Sequence, residues 1–119
     1  MKNLLLALLL ISPLSFADWG DVYYCQMTHF VTVNLDGEAT NWKLERFKLT
    51  LDNDRQAMVF GKSGYFSGAE WTITRHPAVG DVWTFSTRGT VGNFNGSKLL
   101  VAQVVPEDMT NISADCDKF

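Results

Sequence analysis

Hydrophobic and polar residues alternate with a period of two along much of this chain, most clearly over residues 46–61. Apolar side chains occupy every second position of residues 47–51, which is typical of a strand with one buried and one solvated face. Residues 52–55 are all polar and predict a turn, because aspartate and asparagine side chains bond readily to nearby backbone groups. Residues 56–60 are nearly all apolar, as in a well-covered strand. The stretch therefore predicts a β-hairpin.

The same period predicts strands elsewhere in the chain. Residues 22–33 are rich in β-branched and aromatic side chains, which favour strands. One face of this segment is predicted to point inward, and it carries Tyr23, Cys25, Met27, His29, Val31 and Val33. Tryptophan occupies the apolar face of residues 69–75 and of residues 82–87. Residues 99–105 are apolar on both faces, which predicts a central strand, and residues 109–116 are predicted to form the last strand.

Turn signals separate these segments. Asp36-Gly37 lies between two strand-like runs and is a strong hairpin signal. A break is expected near Glu45, where Leu44 falls out of step with the strand that follows. Residues 92–97 are rich in glycine and asparagine, and we expect them to be the most flexible stretch.

The spacing of strands and turns indicates the fold class. No segment of about twelve residues or more shows the apolar spacing of a helix. The predicted strands follow one another at intervals of about ten residues, which is typical of an antiparallel barrel or sandwich, and short turns favour a meander. We predict one all-β domain over residues 18–119, an antiparallel meander of about seven to eight strands that forms a small barrel or barrel-like sandwich.

Residues 1–17 have the pattern of a secretory signal peptide, with Lys2, an apolar run over residues 4–11 and small residues before Asp18. Cleavage is expected after Ala17. The apolar run is too short to span a bilayer, which takes about twenty residues, so we expect no membrane span after cleavage. The compact signal predicts a bacterial protein of the periplasm or the outside medium.

Cys25 and Cys116 are the two cysteines of the chain. In a protein bound for an oxidising compartment they predict a disulfide between the first and last strands. A metal pair or a redox site is the alternative for these cysteines. Against both, there is no Cys-x-x-Cys spacing, and His29 is the one histidine near either cysteine in the sequence.

The charge balance argues against a nucleic-acid partner. The formal net charge is -3 for the whole chain and becomes -4 when Lys2 is removed with the signal peptide. Nucleic-acid binding draws on clustered basic residues. The densest basic group, Lys43, Arg46 and Lys48, is interleaved with Glu45 and is interpreted as a solvated strand face.

The chain shows no motif for catalysis, metal binding or a cofactor. Its two histidines, His29 and His76, lack the partners that a zinc site needs, and His76 is expected on the surface. Residues 64–68 are not a nucleophile elbow, because their serine is displaced and no helix follows. The carboxylates that glycoside chemistry would use are expected to be solvated, namely Glu38, Glu45, Glu70 and Asp81. We therefore predict no enzyme and no cofactor.

The aromatic content is high, with four tryptophans, three tyrosines and eight phenylalanines. One interpretation is core filling, since these rings bury large areas. The other is that some of them line the open end of a barrel or a binding face, and the candidates are Trp42, Tyr65, Trp71 and Trp83. Barrels of about eight strands can hold one small ligand. The leading hypothesis is a non-catalytic secreted or periplasmic binding protein for a small apolar or aromatic ligand.

Three short motifs resemble the periplasmic inhibitors of c-type lysozyme, which are small β-barrels with a Tyr-x-Cys start, a Ser-Gly-x-x-Tyr loop and a closing cysteine. The motifs here are Tyr23-Tyr24-Cys25, Ser67-Gly68-Ala69-Glu70-Trp71 and the lone C-terminal Cys116. The resemblance implies that Ser67 probes the active site of an enzyme. This chain departs from the family in having Trp71 in place of the tyrosine and more residues after the loop. The alternative function is a protein-interaction module, such as an inhibitor of a secreted hydrolase or an envelope assembly component.

Overall fold

A computed structural model describes residues 17–75 and 82–119 of the chain. Within these ranges there are nine β-strands and no helix, which confirms the all-β prediction. The strands are β1 Val22–Asn34, β2 Ala39–Asn41, β3 Arg46–Asp52, β4 Ala57–Phe60, β5 Glu70–Arg75, β6 Trp83–Thr87, β7 Thr90–Phe94, β8 Lys98–Val104 and β9 Asp108–Lys118.

The strands form a closed antiparallel barrel. From β3 to β9 each strand pairs with the next one in the sequence, and β9 returns to pair with β1. Eight strands therefore close the barrel, as the predicted meander requires. The extra strand, β2, pairs with Val31–Val33 in the second half of β1, whereas Val22–Gln26 in its first half pair with β3.

The central hairpin forms as the alternation predicted. In β3 the side chains of Phe47, Leu49 and Leu51 are buried, and the polar residues between them are more exposed. In β4 both Met58 and Phe60 are buried. The polar residues between the two strands form the turn.

A disulfide joins Cys25 to Cys116. The two cysteines are direct partners in the register of β1 and β9, and both are buried. The predicted bond between the first and last strands is confirmed. It indicates an oxidising compartment outside the cytoplasm.

One end of the barrel is closed by the segment before β1. The Trp19 ring packs edge to face on Trp83 with 4.8 Å between ring centroids, and the Gly20 N–H donates to the Leu51 carbonyl at 2.7 Å. Above this end the interior is filled by large side chains that are almost wholly buried: Trp83, Tyr23, Phe85, Phe94, Met27, Leu49, Leu51, Met58 and Leu99.

A β-bulge in β1 reverses which residues face inward. Met27 pairs with Ala114 but His29 pairs with Ser113, so Thr28 is an extra residue in β1. Beyond the bulge, Phe30 and Thr32 take the inward positions predicted for Val31 and Val33. The expectation that His29 points inward was wrong, because one extra residue exchanges the two faces of a strand. His29 is exposed, and its Nδ1 lies 2.9 Å from Ser113 Oγ.

Two further predicted segments lie in β7 and β8. Residues 92–94, within the stretch expected to be the most flexible, belong to β7, where Gly92 lies opposite Phe85 and lets that ring cover it. A Cβ atom at this position would collide with the Phe85 ring and the Leu100 carbonyl. β8 lies between β7 and β9, which confirms the predicted central strand, and the side chains of Leu100 and Val104 on its outer face are exposed. The predicted surface position of His76 lies outside the described residues.

Replacing both cysteines with alanine should destabilise the barrel strongly. The bond spans 91 residues of sequence, and the chain-entropy model gives about 4.5 kcal/mol for a loop of that size. Urea unfolding of the Cys25→Ala/Cys116→Ala variant, followed by tryptophan fluorescence, measures the loss. A loss below about 1 kcal/mol would show that strand pairing alone maintains closure.

The stability should also fall at high pH because of Tyr23. Burial, together with the negative charges of Asp21 and Asp18, raises the pKa of Tyr23 to about 12 from 10.0. The folded protein then retains a proton that the unfolded chain has released, so stability is lost as the pH rises from 10 to about 12. Urea unfolding across this range should show a steeper decline for the natural protein than for Tyr23→Phe. Parallel declines would contradict the assignment.

Candidate functional site

The end of the barrel opposite Trp19 is open and holds a cleft of about 540 Å³, which we call the mouth. It lies where β1 passes its bulge, β8 ends, and β7 and β9 begin. Its aromatic wall consists of Phe30, Trp42 and Tyr65, and its floor of Thr32, Thr90, Gln103 and Thr110. The remaining lining residues belong to the turns at 88–89 and 104–108.

Each ring of the aromatic wall comes from a different part of the chain. Phe30 faces the mouth because of the bulge in β1. Trp42 begins the irregular link of residues 42–45 between β2 and β3, near the predicted break. Tyr65 lies in the loop of residues 61–69 between β4 and β5. The centroid of the Phe30 ring is 4.7 Å from that of Tyr65 and 6.3 Å from that of Trp42, so the three rings form one surface.

Hydrogen bonds hold the Trp42 ring against β1. The Trp42 backbone N–H donates to the Phe30 carbonyl at 2.8 Å, and its indole Nε1–H donates to Thr32 Oγ1 at 2.8 Å. Thr32 Oγ1 lies 3.4 Å from Thr110 Oγ1, across the β1–β9 pair. The ring is therefore fixed in orientation although 52% of the residue is exposed.

The Tyr65 ring is fixed in a similar way. Its hydroxyl donates to Gln103 Oε1 at 2.7 Å, and Gln103 Nε2 donates to Thr90 Oγ1 at 3.1 Å. Its backbone N–H donates to Glu45 Oε1 at 2.8 Å. Because a site held in its binding geometry loses less entropy when a ligand binds, this network favours affinity.

The two charged side chains that line the mouth, Arg88 and Asp108, differ in burial. Arg88 is exposed and Asp108 is half-buried. Among the described residues neither takes part in an ion pair. Both charges are thus available to a polar group on a ligand.

A second cleft of about 600 Å³ lies on the outer face of β9, β1 and β3. It is lined by charged side chains of both signs, Arg46 and Lys48 from β3 and Asp115 and Asp117 from β9. Lys98 forms an ion pair with Asp115 beside it. Because this cleft is bordered by long solvated side chains, it is a poorer site for an apolar ligand than the mouth.

The four candidate binding residues fall into two groups. Trp42 and Tyr65 lie together in the mouth. Trp71 and Trp83 lie in the core with 5% and 1% exposure, and Trp71 stacks on Phe85 at 4.8 Å between centroids. Both core tryptophans occupy inward strand positions below the mouth, where the barrel is filled.

Sequence reasoning missed several residues of the mouth. Thr90, Gln103 and Thr110 are polar residues at inward positions near strand ends, and that alternation was the signal that would have found them. Phe30 had no such signal, because the bulge changed its face. Glu45 was expected to be solvated, yet its carboxylate accepts a hydrogen bond from Tyr65.

The structure places Ser67 on the surface of the loop of residues 61–69. Its hydroxyl donates to the Lys62 carbonyl at 2.8 Å, so it stabilises the loop that also carries Tyr65. In the described part of the chain no cluster of three or more His, Cys, Asp or Glu residues is arranged to hold a metal ion. The same part contains no helix long and apolar enough to cross a membrane.

The fold and the mouth together define a small disulfide-closed barrel with a filled interior and one open, aromatic-lined end. No family model, no curated protein and no solved structure matches the chain.

Alanine substitutions should separate the mouth tryptophan from a core tryptophan. Trp83→Ala leaves a cavity in the filled interior and should cost about 3–5 kcal/mol. Trp42→Ala removes a half-exposed ring with one side-chain hydrogen bond and should cost about 1 kcal/mol. Urea unfolding followed by circular dichroism measures both. Equal losses would show that Trp42 is needed for folding and is not primarily a binding surface.

Proposed function

We propose that this protein is a non-catalytic binding protein of the bacterial periplasm or extracellular medium, and that the mouth takes a small apolar or aromatic ligand. The observation that carries this proposal is the aromatic wall. Its three rings lie at the open end of the barrel, and hydrogen bonds hold Trp42 and Tyr65 in place while both remain about half exposed. Exposed rings that are held rigidly offer contact area at a small entropic cost.

The mouth rather than the barrel interior is the place for the ligand. The interior positions directly below it are occupied by Phe85, Val101 and Ile112, each of which is buried. A volume of about 540 Å³ remains above them. Small-molecule sites commonly fall between about 300 and 1,000 Å³, so the mouth suits a ligand of one or two rings or a short apolar chain.

The chemistry of the floor sets the polarity of the ligand. The polar side chains of the mouth already form hydrogen bonds with one another. Thr32 accepts a bond from Trp42, and Gln103 accepts one from Tyr65 and donates one to Thr90. A ligand rich in hydroxyl groups would have to replace these bonds, whereas an apolar ring can rest against the wall without disturbing them. A single polar group on the ligand would lie near the charged side chains of Arg88 and Asp108.

The test uses the ¹⁵N-labelled protein recovered after export and three probes, p-cresol, 1-hexanol and glucose. The indole N–H of Trp42 is the reporter, since it donates to Thr32 inside the mouth. We expect p-cresol and 1-hexanol to shift this resonance and that of the Tyr65 amide, and glucose to leave both unchanged. The proposal fails if neither apolar probe shifts them, or if the shifts spread evenly over the protein.

Matched variants locate the binding. Trp42→Ala and Tyr65→Ala should each weaken p-cresol binding by about tenfold, which corresponds to the contact of one aromatic ring. Tyr24→Ala is the control, because Tyr24 is a comparably exposed ring on the outer face, next to Phe119. Equal weakening by Tyr24→Ala would place the binding elsewhere.

A protein-interaction module, such as an inhibitor of a secreted hydrolase or an envelope assembly component, is the second candidate. It is favoured by an outer cleft of about 370 Å³ on β7 and β8, beside which Val91 and Leu100 are each about half exposed. Inhibition of a c-type lysozyme that is lost in Ser67→Tyr would support the inhibitor hypothesis. Native mass spectrometry of the protein from its own envelope distinguishes the candidates, because a retained small mass supports the first and a bound protein the second.

A further inference from the structure

Two of the three rings of the mouth stand on segments without regular secondary structure. Trp42 belongs to the link of residues 42–45, and Tyr65 belongs to the loop of residues 61–69. The backbone hydrogen bonds of the loop run within it or to β3 and β4, and those of the link run to β1, so in the described residues no backbone–backbone hydrogen bond connects the two segments. The geometry of the aromatic wall therefore depends on what joins these two segments.

The carboxylate of Glu45 connects the link with the loop. Its Oε1 accepts the Tyr65 backbone N–H at 2.8 Å, which attaches the loop to the link that begins with Trp42. The Glu45 backbone carbonyl accepts the Met27 N–H at 2.9 Å, so the residue is itself anchored to β1 just before the bulge. A hydrogen bond to an ionised acceptor contributes more to stability than one between neutral groups.

Gly64 is the residue that allows this contact. Its φ of +82° is one that side chains rarely adopt, and a Cβ atom there would lie 2.6 Å from Glu45 Oε1. The carboxylate thus occupies the space that any side chain at position 64 would need. A Cβ atom at position 64 would therefore displace the flexible end of the Glu45 side chain from its contact with the Tyr65 amide.

We propose that Glu45 is the positioning residue of the mouth. Its carboxylate fixes the position of the Tyr65 ring relative to the Trp42 ring, so that the cleft is already formed when a ligand binds. This inference rests on the proposed function of the mouth. Glu45 acts through Tyr65 and is not itself among the residues that line the cleft.

The experiment compares Glu45→Ala, Glu45→Gln and the control Glu38→Ala, whose carboxylate is exposed on the β1–β2 turn. Amide hydrogen exchange without ligand should be about tenfold faster at Tyr65 in Glu45→Ala, since one hydrogen bond to a charged acceptor is lost. Binding of p-cresol should weaken by about tenfold in the same variant. Glu45→Gln should retain most of both properties, because its amide oxygen can accept the same bond, and Glu38→Ala should retain all of them.

A second variant tests the contact from the other side. Gly64→Ala should also speed exchange at the Tyr65 amide and weaken p-cresol binding, while urea unfolding shows whether the barrel remains folded. Unchanged exchange at Tyr65 in Glu45→Ala would overturn the inference. Faster exchange with unchanged p-cresol affinity would overturn it too, and would leave the proposed function intact. Failure of p-cresol and 1-hexanol to bind the natural protein would overturn the proposed function and this inference together.

Discussion

The pairing of β1 with β9 is the constraint on which the rest of the structure depends. Eleven residue pairs connect the two strands along the whole of β1, and the Cys25–Cys116 bond lies among them. Without this pairing both strands would be open edges, which sheets must cover or pair to avoid association. The core and the mouth would also separate, because Thr32 and Thr110 of the floor, like Met27 and Ala114 of the core, face each other across this pair.

The bulge at Thr28 divides β1 into two parts with different tasks. Before it, Tyr23, Cys25 and Met27 fill the interior with side chains that pack at low exposure. After it, Phe30 presents an aromatic ring to the open end. The partner strand on the edge away from β9 also differs, β3 before the bulge and β2 after it. Bulges near the rims of barrels commonly redirect a side chain in this way, and here that side chain belongs to the aromatic wall.

Alternation along the chain was sufficient to predict the strands, the meander and the closing disulfide, because these follow from local periodicity and from the redox compartment. The high aromatic content was what singled out Trp42 and Tyr65, although it could not distinguish them from Trp71 and Trp83. That distinction depends on how far each residue lies from the open end of the barrel, which is set by the register of the strands. Phe30 could not be assigned to the mouth from the sequence, because the alternation of apolar and polar residues in β1 does not indicate the bulge. The contact of Glu45 with Tyr65 joins residues twenty positions apart through a loop conformation that no local pattern specifies.

The return of β9 to β1 also sets an order of events in biosynthesis. Chains are made from the amino end, so β1 is produced long before β9, the strand that closes the barrel. Contacts of such large sequence separation form late and slowly. Since Cys116 lies within β9, strand closure and cysteine oxidation both require this strand. The barrel therefore cannot close, and the disulfide cannot form, until β9 has been produced.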